Sequence, residues 1–266
     1  MSPAGDLRPL AAVTGASSGI GKELARELAE RGYDLCLVAD TSDLALVASE
    51  LEATTGVEVV ARQADLAEAR NVEAFAELVR SLGRPVAVAA LNAGVGVGGR
   101  FDEVELEDDL RLIAVNVTAT VHLAKLLARD MVLVGDGRLL LTSSIASQMP
   151  GPGQATYAAS KAFVESFGEA IRHELADLGV SVTTLSPGPT DTAFFDRAGM
   201  ADTRLARGPK TDPAEVARHG VEAMLAGKDK VVPGSGLLRA QTVVSGLLPD
   251  RLKAAVHAGL TKSRPD

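Results

Sequence analysis

Leu10-Ala-Ala-Val13-Thr14-Gly15-Ala-Ser17-Ser18-Gly19-Ile20-Gly21 is an apolar run that ends in a glycine-rich turn and opens the amphipathic stretch Gly19–Glu30. A glycine turn between a strand and a helix is what a dinucleotide site needs. One glycine permits the tight turn, another lets the backbone approach a pyrophosphate, and a third lets helix and strand pack closely. The helix N-terminus then offers free N–H groups and a partial positive charge to phosphates. The spacing here is Gly-x-x-x-Gly-x-Gly rather than Gly-x-Gly-x-x-Gly. Glycines also serve turns for purely structural reasons, so it is the position at the first strand–helix junction that favours the nucleotide reading. Gly15, Ser17, Ser18, Gly19, Ile20 and Gly21 are the candidate contacts.

Outward from this turn, short apolar runs at 10–13, 34–39, 57–61, 86–91, 138–142, 181–185 and 230–232 read as strands. Amphipathic stretches at 19–30, 44–54, 67–82, 106–130, 155–178 and 213–226 read as helices. The strands lack polar alternation, as expected when both faces of a parallel sheet are covered. Strict alternation of strand and helix predicts an α/β fold, a Rossmann-like doubly wound parallel sheet of about seven strands with helices on both faces. No internal repeat or low-complexity linker divides the 266 residues, so 1–266 reads as a single domain.

Hydrophobic residues make up 46% of the chain and aromatic residues 3%, so the core must be aliphatic. A net charge of −8, with Lys and Arg scattered, argues against nucleic-acid binding. The lone Cys36 lies in the apolar run Leu35–Ala39 and reads as a buried small hydrophobe rather than a reactive thiol. With no disulfide possible, a reducing, cytoplasmic location is expected. Residues 1–6 lack a basic region followed by an apolar one, so no signal peptide is expected. No window of eighteen residues is continuously apolar, so no transmembrane helix is expected either. His122, His173, His219 and His257 are dispersed without metal-ligand spacing, and no metal site is predicted.

Asp40 ends the second predicted strand, nineteen residues after Gly21. An acid about twenty residues beyond the glycine turn is where a carboxylate meets adenosine ribose hydroxyls, and it would repel a 2′-phosphate. Ser18, not a cation, precedes Gly19. Both features favour NAD(H), while Asp40 as an N-terminal cap for the next helix stays open. Arg62 could reach a 2′-phosphate and leaves NADP(H) possible.

Tyr157 and Lys161 stand four apart, on one face of a predicted helix. Ser144 lies thirteen residues upstream of the tyrosine, just past a strand end. A free phenol has a pKa near ~10 and is a poor base at neutral pH. A cation one turn away favours phenolate, and bringing the phenol to neutrality needs about 4 kcal/mol of differential stabilisation. Ser144 can hydrogen-bond a substrate oxygen. The set suits proton transfer to a carbonyl while a hydride arrives from a cofactor. The turn Pro150-Gly-Pro-Gly153 can place the helix start at a pocket mouth. Asn116, in the middle of a predicted helix, is unfavourable there without a task. No Gly-x-Ser-x-Gly elbow surrounds Ser143 or Ser144, which argues against a serine nucleophile.

With Thr14-Gly-x-x-x-Gly-x-Gly21, Asp65-Leu66, Asn92-Ala93-Gly94, Asn116, Ser144, Tyr157-x-x-x-Lys161 and Pro187-Gly188-x-x-x-Thr192 in this order, the chain resembles the short-chain dehydrogenase/reductase family. The resemblance spans about 10–232. It implies that Tyr157 is the general acid/base and that Lys161 lowers its pKa and holds the nicotinamide ribose. Ser144 would orient the substrate, and Asn116 would bind a water feeding a relay through Lys161. Asp65, beside Leu66, would contact adenine. Asn92, Ala93 and Gly94 would line the adenosine side, and Thr192 would hold the carboxamide, beyond Pro187, Gly188 and Thr190, the last acting through backbone. In NAD-preferring members the acid usually falls at the place of Ala39. Asp40 stands one later, where NADP-preferring relatives often carry Arg. The glycine-rich run 94–99 is expected to loosen one wall of the site.

The expected substrate wall, Ser144, Ile145, Met149, Pro150, Gln154, Tyr157, Phe194, Phe195 and Met200, is mostly apolar. It predicts a small-molecule secondary alcohol or ketone that is hydrophobic or ring-bearing. Residues 192–212 read as a mobile lid over a ligand or a surface excursion. The apolar stretch 236–260 could pack on the domain, form an interface, cover a substrate or touch a membrane. The resemblance further implies a homodimer or homotetramer paired through the fourth and fifth helices. A binding or regulatory protein with the same fold and no redox chemistry stays open as an alternative.

Overall fold

A strand buried at all five positions has to sit inside a sheet with both faces covered, and β1 (Leu10–Thr14) is such a strand. The computed structural model describes residues 8–234, 258, 259 and 261. Among these, β1 pairs in parallel with β2 (Asp34–Ala39) on one side and β4 (Val86–Leu91) on the other. With β3 (Val59–Gln63), β5 (Gly137–Thr142), β6 (Val180–Leu185) and β7 (Lys230–Val231) they make a seven-stranded parallel sheet in the order β3-β2-β1-β4-β5-β6-β7. The order reverses between β1 and β4. In open α/β sheets, ligands bind in the crevice at the carboxyl ends of the strands where that reversal occurs.

Two apolar layers cover the sheet. On one face α1 (Gly19–Glu30), α2 (Asp43–Thr55) and the helix at Pro213–Leu225 bring Leu24, Leu28, Val47, Val216 and Met224 into one buried cluster with Ala11 and Val13. On the other, α3 (Ala69–Ser81), the long helix α4 (Leu106–Val134) and α5 (Ala155–Leu175) bring Phe75, Leu123, Leu127, Met131 and Val164 against Leu10 and Ala12. Cys36 is fully buried, and burial pushes its thiol up to about 12, as expected of a residue used for packing.

Several boundaries differ from expectation for local reasons. The third strand begins at Val59 rather than 57, because Gly56 ends α2 in the left-handed conformation (φ +67°) and the Glu58 N–H donates to Asp34 Oδ1 at 2.8 Å. The fourth helix extends four residues past 130, to Val134, where Gly135 (φ +75°) ends it. Its middle, Ala114–Ala119, is wound as a π-helix. By length and composition α4 could cross a membrane. Here Leu123, Leu127 and Met131 are spent on the sheet instead. Residues 192–212 are more regular than expected. They hold two single-turn helices, α6 (Phe194–Arg197) and α7 (Arg204–Arg207), around a buried cluster of Phe195, Ala198, Met200 and Ala206. The helix Pro213–Leu225, α8, follows. Most of the expected 236–260 extension lies outside the described residues.

Candidate active site

The turn after β1 shows why glycine is needed three times. Gly15 (φ +68°) and Gly19 (φ +54°) occupy left-handed conformations. A Cβ on Gly21 would stand 2.0 Å from the Gly15 carbonyl oxygen and 2.6 Å from Asn92 Nδ2. A side chain there would drive α1 off the turn. Ser18 is the helix N-cap without a side-chain cap bond, so its hydroxyl does not occupy the first-turn N–H groups. Thr192 closes over the turn, its methyl 2.9 Å from where a Cβ on Gly19 would lie. Arg197 Nη2, from α6, reaches Ser18 Oγ at 3.4 Å. Ser17 is buried and Ile20 packs against the core on that face. A cradle with no room for Cβ atoms, at the positive end of a helix, fits a dinucleotide pyrophosphate.

Thr14 and Asn92 tie the central strand ends together. Thr14 Oγ1 accepts from the N–H groups of Asn92 and Ala93, both at 2.9 Å, and Thr142 Oγ1 donates to Asn92 Oδ1 at 3.2 Å. Past the end of β3, Asp65 Oδ1 accepts from the Ala67 N–H at 2.9 Å and Oδ2 from Arg111 Nη1 at 2.7 Å, while Leu66 is buried beside it. Partial burial pushes the Asp65 carboxyl up, but the Arg111 hydrogen bond, the Ala67 N–H and the Arg111 charge together hold it below the ordinary range. Arg111 Nη2 also stands 3.8 Å from Asp40 Oδ2. Sequence reasoning missed Arg111, because only the fold brings the first turns of α4 to the ends of β2 and β3. Arg62, the cation expected there, lies exposed on edge strand β3.

Ser144, Tyr157, Lys161 and Asn116 meet at the end of β5. The Ser144 hydroxyl lies near enough to the Tyr157 phenol to favour its ionised form, and Ser144 Oγ accepts from the Ala146 N–H at 3.1 Å. Ser143, its neighbour, turns away and donates to the Lys161 carbonyl at 2.8 Å. Lys161 Nζ donates to the Thr142 carbonyl at 2.9 Å and stands 5.9 Å from the centre of the Tyr157 ring. Asn116 pairs with Val95 like a strand neighbour. Its Oδ1 accepts from the Val95 N–H and its Nδ2 donates to the Val95 carbonyl, both at 2.9 Å. The same Nδ2 reaches Ser160 Oγ at 3.1 Å. The π turn holds this asparagine, and π segments recur at functional sites. A Cβ on Gly94 would stand 3.1 Å from Lys161 Nζ and 3.3 Å from Asn116 Oδ1, so glycine lets the backbone pass beside both.

Burial governs the titration of this group. It raises the Tyr157 phenol to about 12, with the nearby Ser144 hydroxyl pulling the other way, and lowers the Lys161 ammonium to about 8. In the protein alone, then, the phenol is held protonated. Desolvation outweighs the nearby cation here, since Lys161 Nζ is bound to the Thr142 carbonyl.

An apolar wall stands beside Tyr157. Phe194 lies over Tyr157, ring centres 5.2 Å apart. It packs with Val95, Val97 and Leu112 against Ala146 and Ala158. Phe195, expected beside it, is buried in the lid's own cluster and carries Lys210 Nζ at 5.6 Å from its ring centre. Met200 likewise belongs to that cluster. Ile145 and Gln148 bound the short turn Ile145–Gln148 after Ser144, followed by Met149, and the buried Gln154 precedes α5. The run 94–99 tightens the wall rather than loosening it. A Cβ on Gly96 would meet Phe194 Cζ at 2.4 Å, and one on Gly98 would meet Met200 Cγ at 2.2 Å. The Gly98 N–H donates to the Ala198 carbonyl at 2.8 Å. Beyond Pro187, Thr190 bridges Thr211 in parallel, and Thr190 Oγ1 donates to the Gly188 carbonyl at 2.9 Å.

Comparison with known proteins places this geometry in a family. The short chain dehydrogenase family model matches residues 9–202. A Mycobacterium tuberculosis protein named as an oxidoreductase, SadH, is 32% identical over 271 residues, covering 96% of each chain. A short-chain dehydrogenase from Sphingobium yanoikuyae in complex with NADPH is 30% identical, with a TM-score of 0.80, over 90% of this chain and 93% of that one. A short-chain dehydrogenase/reductase from Burkholderia phymatum in complex with NAD is 25% identical, again with a TM-score of 0.80, over 89% of this chain and 92% of that one.

Proposed function

The chain belongs to the short-chain dehydrogenase family of oxidoreductases, and we propose that it transfers a hydride between a nicotinamide cofactor and a hydrophobic or ring-bearing secondary alcohol or ketone. The observation that carries this reading is the meeting of Tyr157 with Lys161, one helical turn away, and Ser144 beside the glycine cradle and under the Phe194 ring.

The cofactor would rest on Gly15–Gly21 and along Asn92–Gly94, with Thr192 over it. When bound, it supplies or accepts the hydride. The protein's own residues handle the proton. Ser144 holds the substrate oxygen, and Tyr157 delivers its phenolic proton to that oxygen during reduction. A phenol held at about 12 is fully protonated at neutral pH and therefore ready as the acid. In the alcohol-oxidising direction the same phenol must first give up its proton, so that direction needs added positive charge near it. Lys161, at about 8, is mostly a cation at pH 7 and can contribute that charge. Asn116, clamped on Val95 and Ser160, keeps the wall beside Lys161 in place. Phe194, Val95, Val97 and Leu112 exclude water and favour apolar substituents on the carbonyl.

We further propose that copies pair through α4 and α5, where Leu110, Ile113, Leu133 and Phe163 are exposed. A monomer in sedimentation at micromolar concentration would refute that. The reaction is tested by following NADH and NADPH consumption with cyclic and aromatic ketones against small hydrophilic carbonyls. Turnover confined to the apolar set is expected. Tight cofactor binding with no turnover across the panel would favour a non-catalytic binding protein.

A further inference from the structure

An acid at the end of the second strand normally excludes a cofactor that carries a 2′-phosphate, because two negative groups would meet at one corner. In this chain Asp40 occupies that corner, but it does not stand alone. Arg111 projects from the first turns of α4 across the adenosine side and approaches two acids from different elements. Its Nη1 is committed to Asp65 Oδ2 at 2.7 Å. Its Nη2 lies 3.8 Å from Asp40 Oδ2, beyond hydrogen-bond reach, and makes no hydrogen bond among the described residues. Asp40 in turn is anchored by its backbone, since Gln63 Nε2 donates to the Asp40 carbonyl at 3.0 Å. The guanidinium is thus held at one end and has donors to spare at the other. A planar fork with five donors suits phosphate oxygens better than a lone ammonium does.

Resting on the nicotinamide reading above, we infer that Arg111 is the specificity-determining cation of the adenosine side, and that it lets this chain accept NADP(H) as well as NAD(H) despite Asp40. Asp65 fixes the guanidinium through Nη1, and Nη2 offers its N–H groups to the 2′-phosphate. With the unphosphorylated cofactor, Asp40 remains free to accept ribose hydroxyls and the same N–H groups face Asp40. Charge at that corner is provided from α4 and not from the position before Gly19, where Ser18 stands, nor from Arg62. The arrangement also gives Asp65 a positioning role. Loss of its carboxylate would release Arg111 and weaken the phosphorylated cofactor more than the other.

The test is a calorimetric titration of NADPH and NADH into the wild type, Arg111→Gln and Arg111→Lys, with melting curves to confirm that each variant is folded. Arg111 is 43% exposed on its side chain, so neither change should cost the fold. The wild type is expected to bind both cofactors. Arg111→Gln should weaken NADPH about tenfold or more, the size of a lost charged hydrogen bond, and NADH by less than about threefold. Arg111→Lys should fall between, keeping charge and losing the fork. NADPH affinity should fall with added salt more steeply than NADH affinity in the wild type, and that difference should shrink in Arg111→Gln. Equal effects on the two cofactors, or a wild type that binds NADH and not NADPH, would overturn the inference while leaving the nicotinamide reading intact. A wild type that binds neither would overturn both.

Discussion

The proposed cofactor side and the proposed substrate side of this molecule are built from different materials. The cofactor side is backbone. Gly15, Gly19 and Gly21 leave room that any Cβ would fill, and Thr14 and Asn92 brace the strand ends behind them. The substrate side is side chains. Phe194, Leu112, Val95 and Val97 form a wall that Gly96 seats from behind, while Gly98 makes room for Met200 and Ala198 in the neighbouring cluster. Backbone sites are fixed by local chemistry and tolerate little change. Side-chain walls are fixed by packing between distant segments and can be recut. One fold can therefore keep its cofactor chemistry while its substrate varies.

Substitutions can break or sharpen that contrast. The largest effect is expected for Gly21→Ala, where the new methyl would stand 2.0 Å from the Gly15 carbonyl oxygen. Backbone cannot step aside as a side chain can, so a loss of about 3 kcal/mol or more is expected in chemical denaturation, with cofactor binding lost as well. Stability and binding that survive unchanged would deny the cofactor side its backbone character.

Next comes Lys161→Met, at the seam between the two sides. The folded-state value of about 8 lies below the ordinary 10.5, so between those limits the unfolded chain binds more protons than the folded one. Wild-type stability should therefore rise with pH across that window. From pH 7 to pH 9.5 the gain should be about 2 kcal/mol relative to Lys161→Met, which has no ammonium to relieve. Tyr157, raised from 10 to about 12, pulls the other way only above pH 10. Parallel pH profiles for the two proteins would contradict the buried-ammonium account.

The smallest effect is expected for Gly98→Ala. Its methyl would meet Met200 at Cγ and Sδ, with the Ala198 carbonyl oxygen 3.1 Å away, so repacking the Met200 side chain should cost about 1–2 kcal/mol, read as a lower melting temperature. Cofactor affinity should hold. A loss of cofactor affinity as large as that of Gly21→Ala would erase the contrast between the two sides.

What could be read from the chain follows the same division. The strand–turn–helix at Leu10–Glu30 was legible because glycine spacing, apolar runs and helix periodicity are local signals. Tyr157, Lys161 and Ser144 were legible through spacing on one helix and a strand end. Asn116 was visible as an odd residue in mid-helix, but the π turn that presents it was not. That turn is bonded to Val95 on another segment. Phe194 and Phe195 are adjacent, and only the lid's internal packing decides that one meets Tyr157 while the other is buried among Ala198, Met200 and Ala206. The glycines of 94–99 read as looseness because their partners, Phe194 and Met200, lie about a hundred residues on. Arg111 had no local mark at all. Its proposed role arises from two acids just past the ends of β2 and β3.

Tyr157→Phe tests the central claim most directly, with NADH and NADPH binding and ketone turnover measured on the same preparation. The variant removes one oxygen and keeps the ring against Phe194. The account predicts cofactor affinities within about twofold of wild type and turnover lower by roughly a thousandfold, the upper range for losing a general acid. Turnover that survives the change would contradict it.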